Sequence, residues 1–180
     1  DDKLVGVEIT AGEHDILLFS SAGKSIRFKE SDVRSVGRTA IGVRGIRLAD
    51  KDKVVSLIVA ESDDPILTAT EKGYGKRTQL DEYRAQARGG SGVISIKTSD
   101  RNGQVVGAIQ VTDEDEMMLI SDKGTLVRAR AADVSIIGRN TQGVTLINIA
   151  DDEALVSVAK IAETDDDEES AEDVNETSEE

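Results

Sequence analysis

The chain has 180 residues, 38% of them apolar, and a formal charge of -14 from 36 acidic against 22 basic residues. That is enough apolar material for a core, but with two Phe, two Tyr and no Trp the core has to be aliphatic. The absence of cysteine excludes disulfides and thiolate metal sites and fits a reducing cytoplasm, no run approaches the ~20 apolar residues of a membrane helix, and Asp1-Asp2-Lys3 does not open a signal peptide. The expectation is a soluble cytoplasmic protein, begun without Met as a segment of a longer chain would be.

Taken in chain order, residues 4–10, 15–20, 24–29 and 43–48 are rich in Val, Ile, Leu and Phe and read as four short strands. Turn clusters at residues 11–14 and 21–23 separate the first three, and residues 30–33 suit a single helical turn. The same grammar then recurs. Gly23, Gly73 and Gly124 share one spacing with Arg27, Arg77 and Arg128, with Arg38, Arg88 and Arg139, and with Gly42, Gly92 and Gly143. GVRGIRL (42–48) stacks on GVISIKT (92–98) and GVTLINI (143–149), and DILLFS (15–20) on PILTAT (65–70) and EMMLIS (116–121). Three repeats of about 50 residues, at about 4–54, 55–105 and 106–156, are visible, and a fourth begins at 157–162.

Four strands per repeat, separated by turn glycines, predict an all-β, propeller-like fold, and three blades predict a partial ring. The second strand of each repeat is apolar on both faces, as for a strand covered on both sides. The third alternates, so Ile26 and Phe28 point one way while Arg27 and Lys29 point the other.

Charge is unevenly spread. Residues 163–180 hold 11 of the 36 acids and no Lys or Arg, leaving 25 acids against 22 bases in the body. The segment 163–180 lacks the apolar surface to offset its ordering entropy and reads as a disordered acidic tail, beyond a folded 1–162. In the body, Arg27, Arg77 and Arg128, with Lys29 and Arg130 beside them, and the column Arg38, Arg88 and Arg139 place cations at the same corners of every repeat. A periodic basic band suits a polyanion whose phosphates repeat along its length, and Gly89, Gly90 and Gly92 would let a backbone come close. No aromatic residues interleave with these bases, which favours duplex DNA over stacked single strands. The plain alternatives are that the arginines pair with acids such as Asp32, Glu82 and Asp133, and that the glycines serve turn geometry with positive φ.

QARGGSG (86–92) resembles a degenerate copy of the heptapeptide Q-R-R-G-G-K-G that marks the family of DNA gyrase A C-terminal domains. Gln86, Arg88, Gly89, Gly90 and Gly92 agree with it, whereas Ala87 and Ser91 replace two basic positions. GRTAIGVRGIRL (37–48), GYGKRT (73–78), IGRNTQGVTLINI (137–149) and the acidic tail are similar to the late blades of that family. The resemblance implies a β-pinwheel whose blades exchange strands, DNA wrapped on its rim, the remainder of the gyrase A protein and the gyrase B protein as partners, and a bacterial, nucleoid-associated setting. It also implies that wrapping supports ATP-dependent negative supercoiling, with the catalytic tyrosine in another domain, so neither Tyr74 nor Tyr83 takes that role. The similar disc of topoisomerase IV is the near competitor.

No cofactor, metal or small-molecule substrate is expected of this segment, and no catalytic residues. Residues 73–78 lack the G-x-x-x-x-G-K-[ST] spacing of a phosphate loop, and His14, between Glu13 and Asp15, has no partners for a nucleophilic set. A propeller used as a protein-interaction scaffold is the alternative function. The acidic tail, tethered beside a basic rim, would compete with DNA for it and so modulate binding.

Overall fold

The computed structural model describes residues 3–161; the tail expected over 163–180 lies outside the described residues. In chain order the strands are β1 (Asp15–Ser20), β2 (Lys24–Lys29), β3 (Val54–Ala60), β4 (Ile66–Thr70), β5 (Tyr74–Thr78), β6 (Val93–Ile94), β7 (Val105–Gln110), β8 (Glu116–Ser121), β9 (Leu126–Arg130), β10 (Val144–Thr145) and β11 (Leu155–Lys160). Single 3-10 turns follow β2, β5 and β9 at Glu30–Asp32, Leu80–Glu82 and Ala131–Asp133, at the places where the sequence predicts a helical turn. Among the described residues no helix is long and apolar enough to cross a membrane.

The strands make three antiparallel sheets: β3-β1-β2-β6, β10-β5-β4-β7 and β11-β8-β9. Their composition shows the strand exchange that the resemblance implies. A blade is not one repeat, because each repeat keeps only its central hairpin and draws both outer strands from the repeat that follows. Thus β3 pairs with β1, and Val93–Ile94 of the second repeat pairs with Lys24 and Ser25 of β2. One repeat later, β7 pairs with β4, and Val144–Thr145 pairs with Tyr74 and Gly75 of β5.

This exchange also accounts for two segments that differ from the sequence-based expectation. Residues 43–48 and 4–10 form no strand, and Leu4, Val7, Ile9 and Ile41 are exposed. Both segments occupy positions whose counterparts pair with the preceding repeat, and the described residues contain no such repeat before β1. An extended apolar segment without an acceptor edge has no ladder to join. The third sheet lacks its fourth strand for the mirror-image reason, since among the described residues the following repeat supplies only β11.

The core is aliphatic as expected and lies largely between blades. Leu17, Phe19, Ile58, Ile66, Leu80, Tyr83 and Ala108 join the first blade to the second, with Phe19 and Tyr83 in an edge-to-face pair 5.8 Å apart. Leu67, Met117, Leu119, Val134 and Leu155 do the same for the second and third. On the other face of the first blade, Ile16, Ile26, Phe28 and Ile46 form a smaller cluster. Successive residues of β1 therefore both find apolar cover, which is why that strand is apolar without alternation.

Candidate nucleic-acid interface

The arginines of β2, β5 and β9 occupy one register position but not one environment. Arg27 donates from Nε to Asp15 at 2.7 Å and from its guanidinium to the carbonyls of Leu80 (2.9 Å) and Tyr83 (3.4 Å), which belong to the 3-10 turn of the next repeat. Arg77 repeats this one blade on: Nε donates to Val134 O at 2.8 Å, another nitrogen reaches Ala132 O, and the guanidinium pairs with Asp113. Arg128 has no following repeat to bind among the described residues and turns back to Glu116 in its own blade. Its side chain is 61% exposed, against 5% for Arg77. The expected basic band is thus interrupted at Arg77, whose cation is buried in the seam between blades and faces protein.

The neighbouring bases are exposed but partnered. Lys29 pairs with Asp15 at 2.8 Å, and Arg130 with Asp133 at 3.4 Å, the acid anticipated as its plain alternative partner. Burial of Asp15 works against its charge, but the hydrogen bonds from Lys29 and Arg27 outweigh that and hold its carboxyl below the usual carboxylate range.

The column Arg38, Arg88 and Arg139 is arranged differently. Arg88 donates from Nε to the carbonyl of Asp32 at 3.2 Å and from Nη1 to that of Arg44, both in the preceding repeat. Arg139 donates to the carbonyl of Ile94, the equivalent position, at 2.7 Å. Glu82 accepts the backbone N–H of Arg139 at 3.1 Å. Arg38 is exposed. None of the three forms a salt bridge among the described residues. Two guanidinium groups are therefore fixed by neutral carbonyls and keep an uncompensated charge.

The glycines of QARGGSG meet the protein's own backbone. Gly89 donates its N–H to Gly45 O at 2.7 Å, and Gly90 O accepts from Arg47 N–H at 2.8 Å. Gly92 has φ +66°, and a Cβ there would lie 2.8 Å from the carbonyl carbon of Ser25. The space expected for a polyanion at Gly92 is occupied by β2, so positive φ and close packing of an exchanged strand explain this glycine.

Sequence reasoning passed over Lys76, which is fully buried and donates from Nζ to the carbonyls of Gly138 and Arg139, each at 2.6 Å. Burial lowers its pKa to about 8, against the pull of the Glu82 carboxylate and with the repulsion of Arg139. Between about pH 8 and 10 the unfolded chain holds a proton that the folded chain has released, so stability rises with pH across that window, by up to about 3 kcal/mol. Urea unfolding from about pH 7.5 to 10 should show this rise, and Lys76→Met should flatten it; an equal slope in both chains would remove Lys76 as its source.

The family described as DNA gyrase C-terminal domain, beta-propeller, matches residues 14–61, 64–112 and 115–162, one match per repeat. The DNA gyrase A protein of Klebsiella oxytoca is 60% identical over 168 residues, and that of Escherichia coli K12 is 57% identical over 167. Each alignment covers 93% of this chain, which spans 19% of the length of those curated relatives. Among solved structures, a DNA gyrase A C-terminal domain superposes with TM-score 0.78 and 31% identity, covering 83% of this chain and 51% of that one. The C-terminal domain of DNA topoisomerase IV superposes with TM-score 0.84 and 26% identity, covering 97% and 55%.

Proposed function

The chain belongs to the DNA gyrase C-terminal domain family of β-propellers, and on that premise we propose that it binds duplex DNA through the outer loops of its blades. In this reading the DNA is bent around the blades, and the domain serves the ATP-dependent negative supercoiling of a gyrase built from the rest of the gyrase A protein and the gyrase B protein. The segment contributes no chemistry of its own; it positions the duplex.

One observation carries the reading. Arg38, Arg88 and Arg139 recur at one place in successive repeats with no carboxylate paired to them among the described residues, and carbonyl oxygens hold Arg88 and Arg139 in position. A carbonyl fixes a guanidinium without cancelling its charge, so the charge stays available to phosphate. An array of this kind recognises the backbone of a duplex and is indifferent to sequence.

The test is the affinity of the full chain for a duplex of mixed sequence across a salt series. The logarithm of affinity should fall linearly with that of salt concentration, and Arg38→Gln, Arg88→Gln and Arg139→Gln together should reduce the slope by about 2.7, near 0.9 per lost phosphate contact. A folded chain whose duplex affinity is absent or independent of salt would instead favour a protein-interaction scaffold.

A further inference from the structure

The cations of the three repeats are not equally available. The repeats at 4–54, 55–105 and 106–156 carry nine, seven and four Lys and Arg residues against seven, seven and nine acids. Salt bridges sharpen the difference. In the first repeat only Arg27 and Lys29 are paired with carboxylates among the described residues, and in the second only Arg77. In the third, Lys123 pairs with Asp152, Arg128 with Glu116 and Arg130 with Asp133, which leaves Arg139 alone uncompensated among the described residues. Lys160, on β11 of the same blade, pairs with Asp115 at 2.7 Å.

The outer loops show the same gradient. Arg34, Arg44 and Arg47 are exposed on the loop after β2, and Arg84, Lys97 and Arg101 on the loop after β5. The corresponding loop after β9 presents Asp151, Asp152 and Glu153 instead, and Arg139 is its one cation. A cation already paired with a carboxylate releases fewer counterions when it meets a phosphate, and an unpaired acid repels one.

We propose that duplex DNA is gripped by the first two blades and released at the third, so that the third blade marks where the duplex leaves the rim. The inference rests on the DNA-binding reading and adds to it a direction along the array. The partner is the phosphate backbone of a duplex, and the distinguishing feature is the graded supply of uncompensated cations.

Three variants of the full chain test it: Arg34, Arg44 and Arg47 to Gln; Arg84, Lys97 and Arg101 to Gln; and Lys123, Arg128 and Arg130 to Gln. All nine positions are exposed, and thermal melting confirms that each variant folds. Each of the first two sets should weaken duplex binding roughly tenfold at moderate salt and flatten the salt slope by about 2 to 3, while the third should cost less than about twofold and leave the slope unchanged. If the third set costs as much as the others, the graded rim is wrong while DNA binding stands. If the unsubstituted chain shows no salt-dependent affinity for the duplex, the DNA-binding reading itself falls and this inference with it.

Discussion

Arg77→Ala is expected to cost about 3 kcal/mol of folding stability, whereas Arg128→Ala, at the same position of the third repeat, should cost under about 0.5 kcal/mol. The difference comes from what each guanidinium holds. Arg77 is buried and ties β5 to the 3-10 turn of the next repeat through Val134 O and Ala132 O. Its removal leaves buried carbonyls without donors and opens a gap in the seam where its aliphatic stem packed. Asp113 is 68% exposed, so water takes over its solvation and adds little to the loss. Arg128 and Glu116 form a pair on the surface of one blade, which water and salt screen. For a folded unit of this size the Arg77 variant should melt about 6–12 °C lower. Equal shifts in the two variants would show that the seam contact contributes no more than a surface ion pair.

Gly143→Ala should be at least as costly, at about 3 kcal/mol or more, because two penalties coincide. Gly143 has φ +82°, where an L-residue with a Cβ is strained by about 1–2 kcal/mol. A Cβ there would also stand 2.6 Å from Gly75 O, in the strand that receives β10. Either β10 moves away, losing its pairing with β5, or the contact is compressed. Gly42→Ala separates the two contributions, since Gly42 also has positive φ, at +94°, but nothing lies within 4 Å of its added Cβ. That variant should show only the conformational share. Denaturant unfolding of the pair measures the difference, and equal losses would mean that close approach of the exchanged strand is not what Gly143 serves.

These two contrasts show what a repeat can and cannot convey before its structure is known. The period exposed the hairpins, the 3-10 turns and the aliphatic core, because each depends on local alternation or on turn residues. It could not reveal that Val93–Ile94 belongs to the blade before it, since a two-residue strand looks the same whichever edge it joins. For the same reason residues 43–48 resemble a strand by pattern, although among the described residues they have no acceptor edge such as their counterparts have.

Among the arginines, the sequence gives a repeated register position but does not distinguish the seam from the surface. That distinction depends on whether a following repeat offers carbonyls, as it does to Arg27 and Arg77 and, among the described residues, not to Arg128. Lys76 did leave a trace. It stands in β5 at the position of Ile26 in β2 and Val127 in β9, so a lone cation in an otherwise apolar column could have indicated a buried charge with a dedicated set of acceptors.

Separating the seam from the rim gives the two sets of cations different tests. Those in the seam affect stability, and those on the rim affect affinity and its salt dependence. Amide hydrogen exchange of the full chain, with and without a duplex long enough to reach all three blades, reads the rim most directly. DNA should slow exchange strongly in the loops at 33–53 and 83–101 and only weakly in the loop at 134–154, where Arg139 is the one cation. Protection centred on the third blade, or no protection in any outer loop of a chain that binds the duplex, would contradict a rim made from the uncompensated arginines and lysines of the first two repeats.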